Sequence, residues 1–226
     1  MRAVLVAALL LVPSTAAAQR AAYATPEDLP KPVPYVLDQS VLGMYARVTD
    51  PQGTRFKNLG MAVVRTRVQI GKKVSYCVGL DAELGGSSTG LVYGVTGYLA
   101  GLGLRWGDDN TLSLCGGVGY DGVKGAVPHA VRFPTELSVA VSVGPIRPIL
   151  YGRPSWLVGG RADLPGGPTG FGNELEAGLI VRLARQHHYW STASAGGGLA
   201  VGVAYREFLD TRYIGFSVGV NLVGAQ

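Results

Sequence analysis

Strict two-residue alternation constrains this chain more than any other feature. Ile214, Phe216, Val218, Val220 and Leu222 alternate with Gly215, Ser217, Gly219 and Asn221. Successive side chains on an extended backbone point to opposite faces, so this segment reads as a strand with one apolar face and one small or polar face. In Val74–Leu84 the apolar set Val74, Tyr76, Val78, Leu80, Ala82 and Leu84 alternates with Ser75, Cys77, Gly79, Asp81 and Glu83. Reading along the chain gives ten such segments, near 39–48, 59–70, 73–84, 91–106, 111–120, 136–143, 147–157, 173–184, 189–204 and 212–223. The first and seventh are the poorest; in the seventh, Pro148 and Pro154 would each remove a ladder donor.

Glycine supplies 34 of 226 residues, about twice its usual share of about 7%. A helical bundle is excluded, because each glycine inside a helix costs about 1 kcal/mol relative to alanine. The glycines keep no three-residue period, so the chain is not collagen-like. At 47% hydrophobic it is too apolar for disorder.

On this division the connections alternate in length. Thr49–Asn58, Gly85–Gly90, Asp121–Thr135, Gly159–Gly172 and Arg206–Thr211 are long; Gly71-Lys72, Gly107–Asn110, Gly144–Ile146 and Arg185–His188 are short. Long loops gathered at one end, opposite tight turns, are a habit of transmembrane barrels.

The wet face decides between architectures. The non-apolar face carries Gly, Ser and Ala with scattered Arg65, Arg67, Asp81, Glu83, Arg105, Glu136, Glu176 and Arg182. Residues that small cannot fill a dry core at native density, about 0.74. Either the apolar face packs on a second sheet as a sandwich, or the charged face lines a lumen and the apolar face meets lipid. In a lumen the two charge signs can pair around water. Tyr76, Trp106 and Tyr189 fall near short-turn ends, and Tyr120, Trp156 and Tyr205 near long-loop ends, as two interfacial girdles would require. Ordinary aromatic packing at sheet margins is the alternative.

Residues 1–18 read as a secretory leader: Arg2, an apolar run Ala3–Val12, and small residues Ala16–Ala18. Residues 19–38, with Pro26, Pro30, Pro32 and Pro34, read as an extended periplasmic arm, and 39–226 as the barrel. No later stretch holds about 18 uninterrupted apolar residues, as a membrane-spanning helix needs.

The leader, the alternation and the final strand together resemble the small Gram-negative outer-membrane β-barrels of the OmpA-like or OmpX-like general type, over about residues 40–223. The resemblance rests on no family-specific motif. It implies an all-β, antiparallel, up-and-down transmembrane barrel in the cell outer membrane, with about ten strands and eight as the smaller alternative. Its partners would be outer-membrane lipid and lipopolysaccharide, with other envelope proteins around it.

Cys77 and Cys115 fall on the small, polar face of the third and fifth strands. Export permits a disulfide. Two strand spacings of about 4.8 Å exceed the bridging limit of about 7 Å, whereas lumen curvature brings inward side chains closer; the pairing stays open. Neighbouring His187 and His188 point to opposite faces and read as solvated turn residues, as does His129 in the longest loop. No metal site or cofactor is expected. Asp108-Asp109 lies at a short turn, the wrong end for an omptin-like protease, and no Asp-x-His occurs. His188 and Ser191 are three apart on opposite faces, out of hydrogen-bond reach. The expectation is no enzyme.

Net charge is +5, with basic residues dispersed and no aromatic interleaving, which argues against nucleic acid. Arg55, Lys57, Lys124, Arg132 and Arg161 are placed in loops that could meet lipopolysaccharide. Two roles follow: a structural or interaction module within an envelope assembly, or a narrow porin-like passive channel, with Gly97, Gly101, Gly117, Gly119, Gly196 and Gly198 leaving water space.

Overall fold

A computed structural model gives the architecture. It describes residues 34–49, 58–87, 90–107, 110–123, 127–158, 170–183, 186–190, 193–208 and 211–225. The leader, most of the arm and the loop cations Arg55, Lys57, Lys124 and Arg161 lie outside them, as does Asp108-Asp109.

The described chain is all strand: β1 Tyr35–Thr49, β2 Asn58–Ile70, β3 Val74–Ser87, β4 Gly90–Trp106, β5 Asn110–Val123, β6 Val127–Ala140, β7 Arg147–Val158, β8 Gly170–Arg182, β9 Gln186–Trp190, β10 Ala193–Phe208 and β11 Thr211–Ala225. Each pairs antiparallel with its neighbour, and β1 closes on β11 from Val36↔Ala225 to Thr49↔Arg212. β9 is no extra stave. It continues β8 along β10, which pairs with β8 over Ala200–Phe208 and with β9 over Ala193–Gly197. The result is a closed, up-and-down barrel of ten staves; the poor first and seventh segments both form, and β1 takes in residues 35–38 of the expected arm.

Three expectations are corrected. The alternation of long and short connections does not survive, because strands run on through glycine and polar residues that hide the pattern. The β3–β4, β5–β6 and β10–β11 connections shrink to 88–89, 124–126 and 209–210, leaving 50–57 and 159–169 as the long ones. Residues 127–135 belong to β6, so Asp121, His129 and Arg132 are strand residues. His187 and His188 sit in the β9 ladder opposite Gly196 and Ala195, and the hairpin connection moves to 191–192.

β6 was obscured by its prolines. Its ladder with β7 is interrupted between Pro134↔Ser155 and Leu137↔Gly152. Pro134 and Pro154 lack backbone donors, so the interruption falls where two adjacent staves carry prolines. At the end holding the 71–73, 107–109 and 141–146 connections, Gly71, Gly107 and Gly144 adopt positive φ (133°, 62° and 57°), which glycine tolerates and other residues resist.

β4 carries a bulge. Its register shifts against β3 beyond Gly79↔Tyr98 and against β5 between Tyr98 and Ala100. Leu99 and Ala100 are both exposed, so the inward series runs Gly94, Thr96, Tyr98, then Gly101 and Gly103. Gly97 therefore belongs to the outer face and not, as expected, to the lumen.

Cys77 of β3 and Cys115 of β5 are bridged, with Cα atoms 6.0 Å apart. Between them lies Gly101 of β4, where a Cβ would come within 3.1 Å of the Cys77 Cβ. Curvature and the missing side chain reconcile a two-strand separation with the bridge.

Candidate functional site

The outer wall is apolar. Leu102 is 69% exposed, Phe216 68% and Val218 56%. Tyr76, Tyr120, Trp106 and Trp156 also point outward, and Tyr120 stacks on Tyr93 at 6.2 Å. The Tyr76 hydroxyl donates to the Leu99 carbonyl, and the half-buried Tyr205 donates to Glu207 Oε2 at 3.0 Å. The Tyr189 backbone is in β9; its side chain lies outside the described residues.

The interior is charged. Alternation within each stave, which sends Leu80 and Leu84 of β3 outward, sends Asp81 and Glu83 inward. Among the described residues seven arginines are buried (Arg65, Arg67, Arg132, Arg147, Arg153, Arg182 and Arg206), with the carboxylates Asp81, Glu83, Asp121, Glu136 and Glu176. Asp38, paired to Arg147, is the sixth carboxylate. Among the described residues the interior thus holds seven arginines and six carboxylates.

These groups brace opposite walls. Arg153 of β7 donates from Nη1 to Asp81 Oδ2 of β3 at 2.6 Å and to the Tyr98 hydroxyl at 2.9 Å, and from Nη2 to Glu176 of β8. Arg206 of β10 reaches Glu83 at 2.8 Å and Asp121 at 2.9 Å. Arg67 binds Asp81 at 2.6 Å and Glu136 at 2.5 Å, and its guanidinium lies 3.9 Å over the Tyr98 ring. Arg65 reaches Glu136 Oε2 at 2.9 Å while stacking 3.4 Å over Tyr151. Arg132 pairs with Asp121 at 2.9 Å and donates to Thr96 Oγ1. Such pairs offset the desolvation cost of buried charge only with good geometry and satisfied lone pairs; here most carboxylates take two arginines each.

The structure therefore brings together seven of the eight charged residues expected inside, although Arg182 enters as a buried neighbour of Arg147 across the β7–β8 ladder. Arg105 stands apart. It is partly exposed at the turn end, donating to the carbonyls of Gly71 and Tyr35 and so tying the β2–β3 turn to the start of β1. Arg132, Arg147, Arg153, Arg206, Asp38 and Asp121 were missed. Arg206 ends an inward series Ala200, Gly202, Ala204, and Arg153 one of Ile149 and Tyr151; following parity to the strand ends finds both.

Apolar clusters flank this belt. Ala46, Leu59, Met61, Val63 and Tyr213 pack at the end of the 50–57 connection, while Leu42, Ala140, Ile149, Tyr151, Ile180 and Ala200 line the other side. A cavity of about 30 Å³ opens below Arg65, Arg67 and Glu136, toward the end where β1 begins. Arg132, Arg147 and Arg182 have no exposed surface and Arg153 has 1%. An open aqueous pore would wet them, so the lumen is filled at their level. Among the described residues no cluster of His, Cys, Asp and Glu is suited to a metal ion.

No family model and no curated protein matches the chain. Among solved structures it is similar to the translocator domain of autotransporter NalP from Neisseria meningitidis, at 14% identity and TM-score 0.36, covering 88% of this chain and 90% of that one. A likeness of that size carries no functional argument.

Proposed function

We propose that the protein is a non-enzymatic β-barrel of the bacterial outer membrane, exported through a cleaved leader, serving as a structural and interaction module. The inverted surface supports the membrane assignment. Large apolar side chains such as Phe216 and Leu102 are exposed around a wall with no free edge, as hydrocarbon requires, while charges are kept inside. Tyr76, Trp106, Tyr120 and Trp156 fit the interfacial girdles, and the surrounding partners are lipid, lipopolysaccharide and neighbouring envelope proteins.

One observation carries the choice of module over channel: Arg153, 1% exposed, spans the lumen from β7 to Asp81 on β3. A barrel of about eight strands is just filled by its side chains, and this slightly wider one is filled by its cross-braces. The chemistry left for partners lies at the rims and in the arm. Planar-bilayer conductance of the folded protein tests this. The expected record is a closed membrane, together with detergent-dependent solubility and heat-modifiable gel migration; steady ohmic steps would establish the porin-like channel instead.

A further inference from the structure

Cys77 and Cys115 are wholly buried, and their surroundings close the approaches from both ends of the lumen. Tyr98 forms one buried cluster with them. It stands level with Gly79 and Gly117, two residues toward the 88–89 connection, and its hydroxyl accepts from Arg153 Nη1 at 2.9 Å, which fastens this cover to the braces. On the turn side the Ser75 hydroxyl donates to Gln69 Oε1 at 2.9 Å; both residues are buried, as is Ser113. The cavity below Arg67 and Glu136 is bounded by Gln69 and Ser113 and reaches neither cysteine. Behind the bridge stands the β4 backbone at Gly101.

A disulfide is made by exchange. One thiolate attacks the oxidant's disulfide, a mixed disulfide forms, and the second thiolate displaces the reduced oxidant. Both attacks require the sulfurs to meet the oxidant directly. A protein oxidant cannot enter a lumen crossed by Arg153 and Arg206. The pair nevertheless belongs to one local unit: β3, β4 and β5 follow one another as a meander, and the 38 positions between the cysteines lie within it. The two thiols can therefore meet while the other staves are unformed.

We propose that the Cys77–Cys115 bridge is installed on the open chain, before the barrel closes, by a thiol–disulfide oxidoreductase carrying a reactive disulfide of its own. The two thiols lose two protons and two electrons and gain one S–S bond, while the oxidant's disulfide becomes a dithiol. Closure then seals the bridge from reductant. The oxidising compartment on the export route rests on the outer-membrane reading. The burial of the sulfurs does not, so the two ideas fail separately.

The test uses the full chain, reduced and unfolded, with an oxidised Cys-x-x-Cys oxidoreductase as the probe. Thiols are counted as mass shifts with maleimide–polyethylene glycol after an acid quench. The enzyme should bridge the chain readily before detergent is added. On reduced chain already in the heat-modifiable form it should act at least about 100-fold more slowly, because reaction waits on opening of the staves. A smaller slowdown overturns the proposal. The oxidised barrel should keep its bridge in a water-soluble phosphine until heat and SDS unfold it; reduction at the unfolded rate overturns the proposal equally. A reduced chain that never closes, where the oxidised chain does, supports it, since the bridge must then come first. Folding without detergent would remove the membrane reading alone, and the same rate comparison on that folded form would still decide the order.

Discussion

Within β3 the two faces of the molecule lie one residue apart. Leu84 is exposed while Glu83 beside it is buried against Arg206. Inside, order comes from paired charges whose partners sit on different staves, some adjacent, as Arg67 with Asp81, and some across the lumen, as Arg153 with Asp81 and Arg206 with Glu83. Outside, Val218 and Phe216 touch no layer of protein, and their energetics belong to the solvent around the barrel. The inner face is held by complementarity, the outer by environment, and substitutions on the two faces should fail for different reasons.

The largest effect is expected inside. Arg153→Ala leaves Asp81 and Glu176 each short of a buried partner, and removing one member of a buried pair costs about 3–5 kcal/mol. Urea unfolding of the barrel in lipid vesicles should show that loss; replacing Arg153 without a shift in midpoint would mean the braces contribute nothing. Next comes the bridge. Cys77 and Cys115 are separated by 38 positions, and the chain-entropy relation assigns a loop of that length about 3–4 kcal/mol. Unfolding the Cys77→Ala/Cys115→Ala protein against the oxidised native one measures it.

How far these faces were legible in the sequence depends on parity. Wherever alternation runs unbroken, as in β3 and β11, both surfaces are legible in the sequence: Asp81 and Glu83 in, Ile214 and Phe216 out. Parity failed at the β4 bulge, where two successive residues face outward and Gly97 changed sides. It failed again in β6, whose prolines argue against a strand although neighbouring staves hold one in place. That error put Arg132 in a loop, when it is wholly buried against Asp121 and Thr96. The braces themselves, such as Arg153 with Asp81, join residues 72 positions apart; strand patterns name the participants but carry no information on which cation meets which carboxylate. The bridge was open for the same reason, since its geometry depends on closure.

The outer face supplies the next test because its result changes with the solvent. Val218→Arg puts a charge near the middle of β11, opposite Gly43 of β1 and Val201 of β10. If acyl chains surround that position, the cost at the bilayer midplane is about 2–4 kcal/mol. If water does, an exposed substitution of this kind stays within about 0.5 kcal/mol. Vesicle unfolding of this variant therefore measures the environment of the outer face directly, and a near-zero change would remove the membrane assignment while leaving the interior intact.

The smallest effect tests whether charge pairing matters for where it is or merely for being there. Arg212 and Glu207 form an ion pair at 3.1 Å near the β10–β11 connection, with the Arg212 side chain 60% exposed. Its chemistry matches that of Arg153 with Glu176, but Arg212 stays largely hydrated and Glu207 is only partly covered, and screening by water and salt reduces such a pair to about 0–1 kcal/mol. Arg212→Ala should therefore move the unfolding midpoint by no more than that, and added salt should erase the difference, whereas salt should barely touch the Arg153→Ala deficit. Equal losses for the two variants would show that burial between the staves adds nothing to an arginine–carboxylate pair, and the distinction between braced interior and solvated rim would collapse.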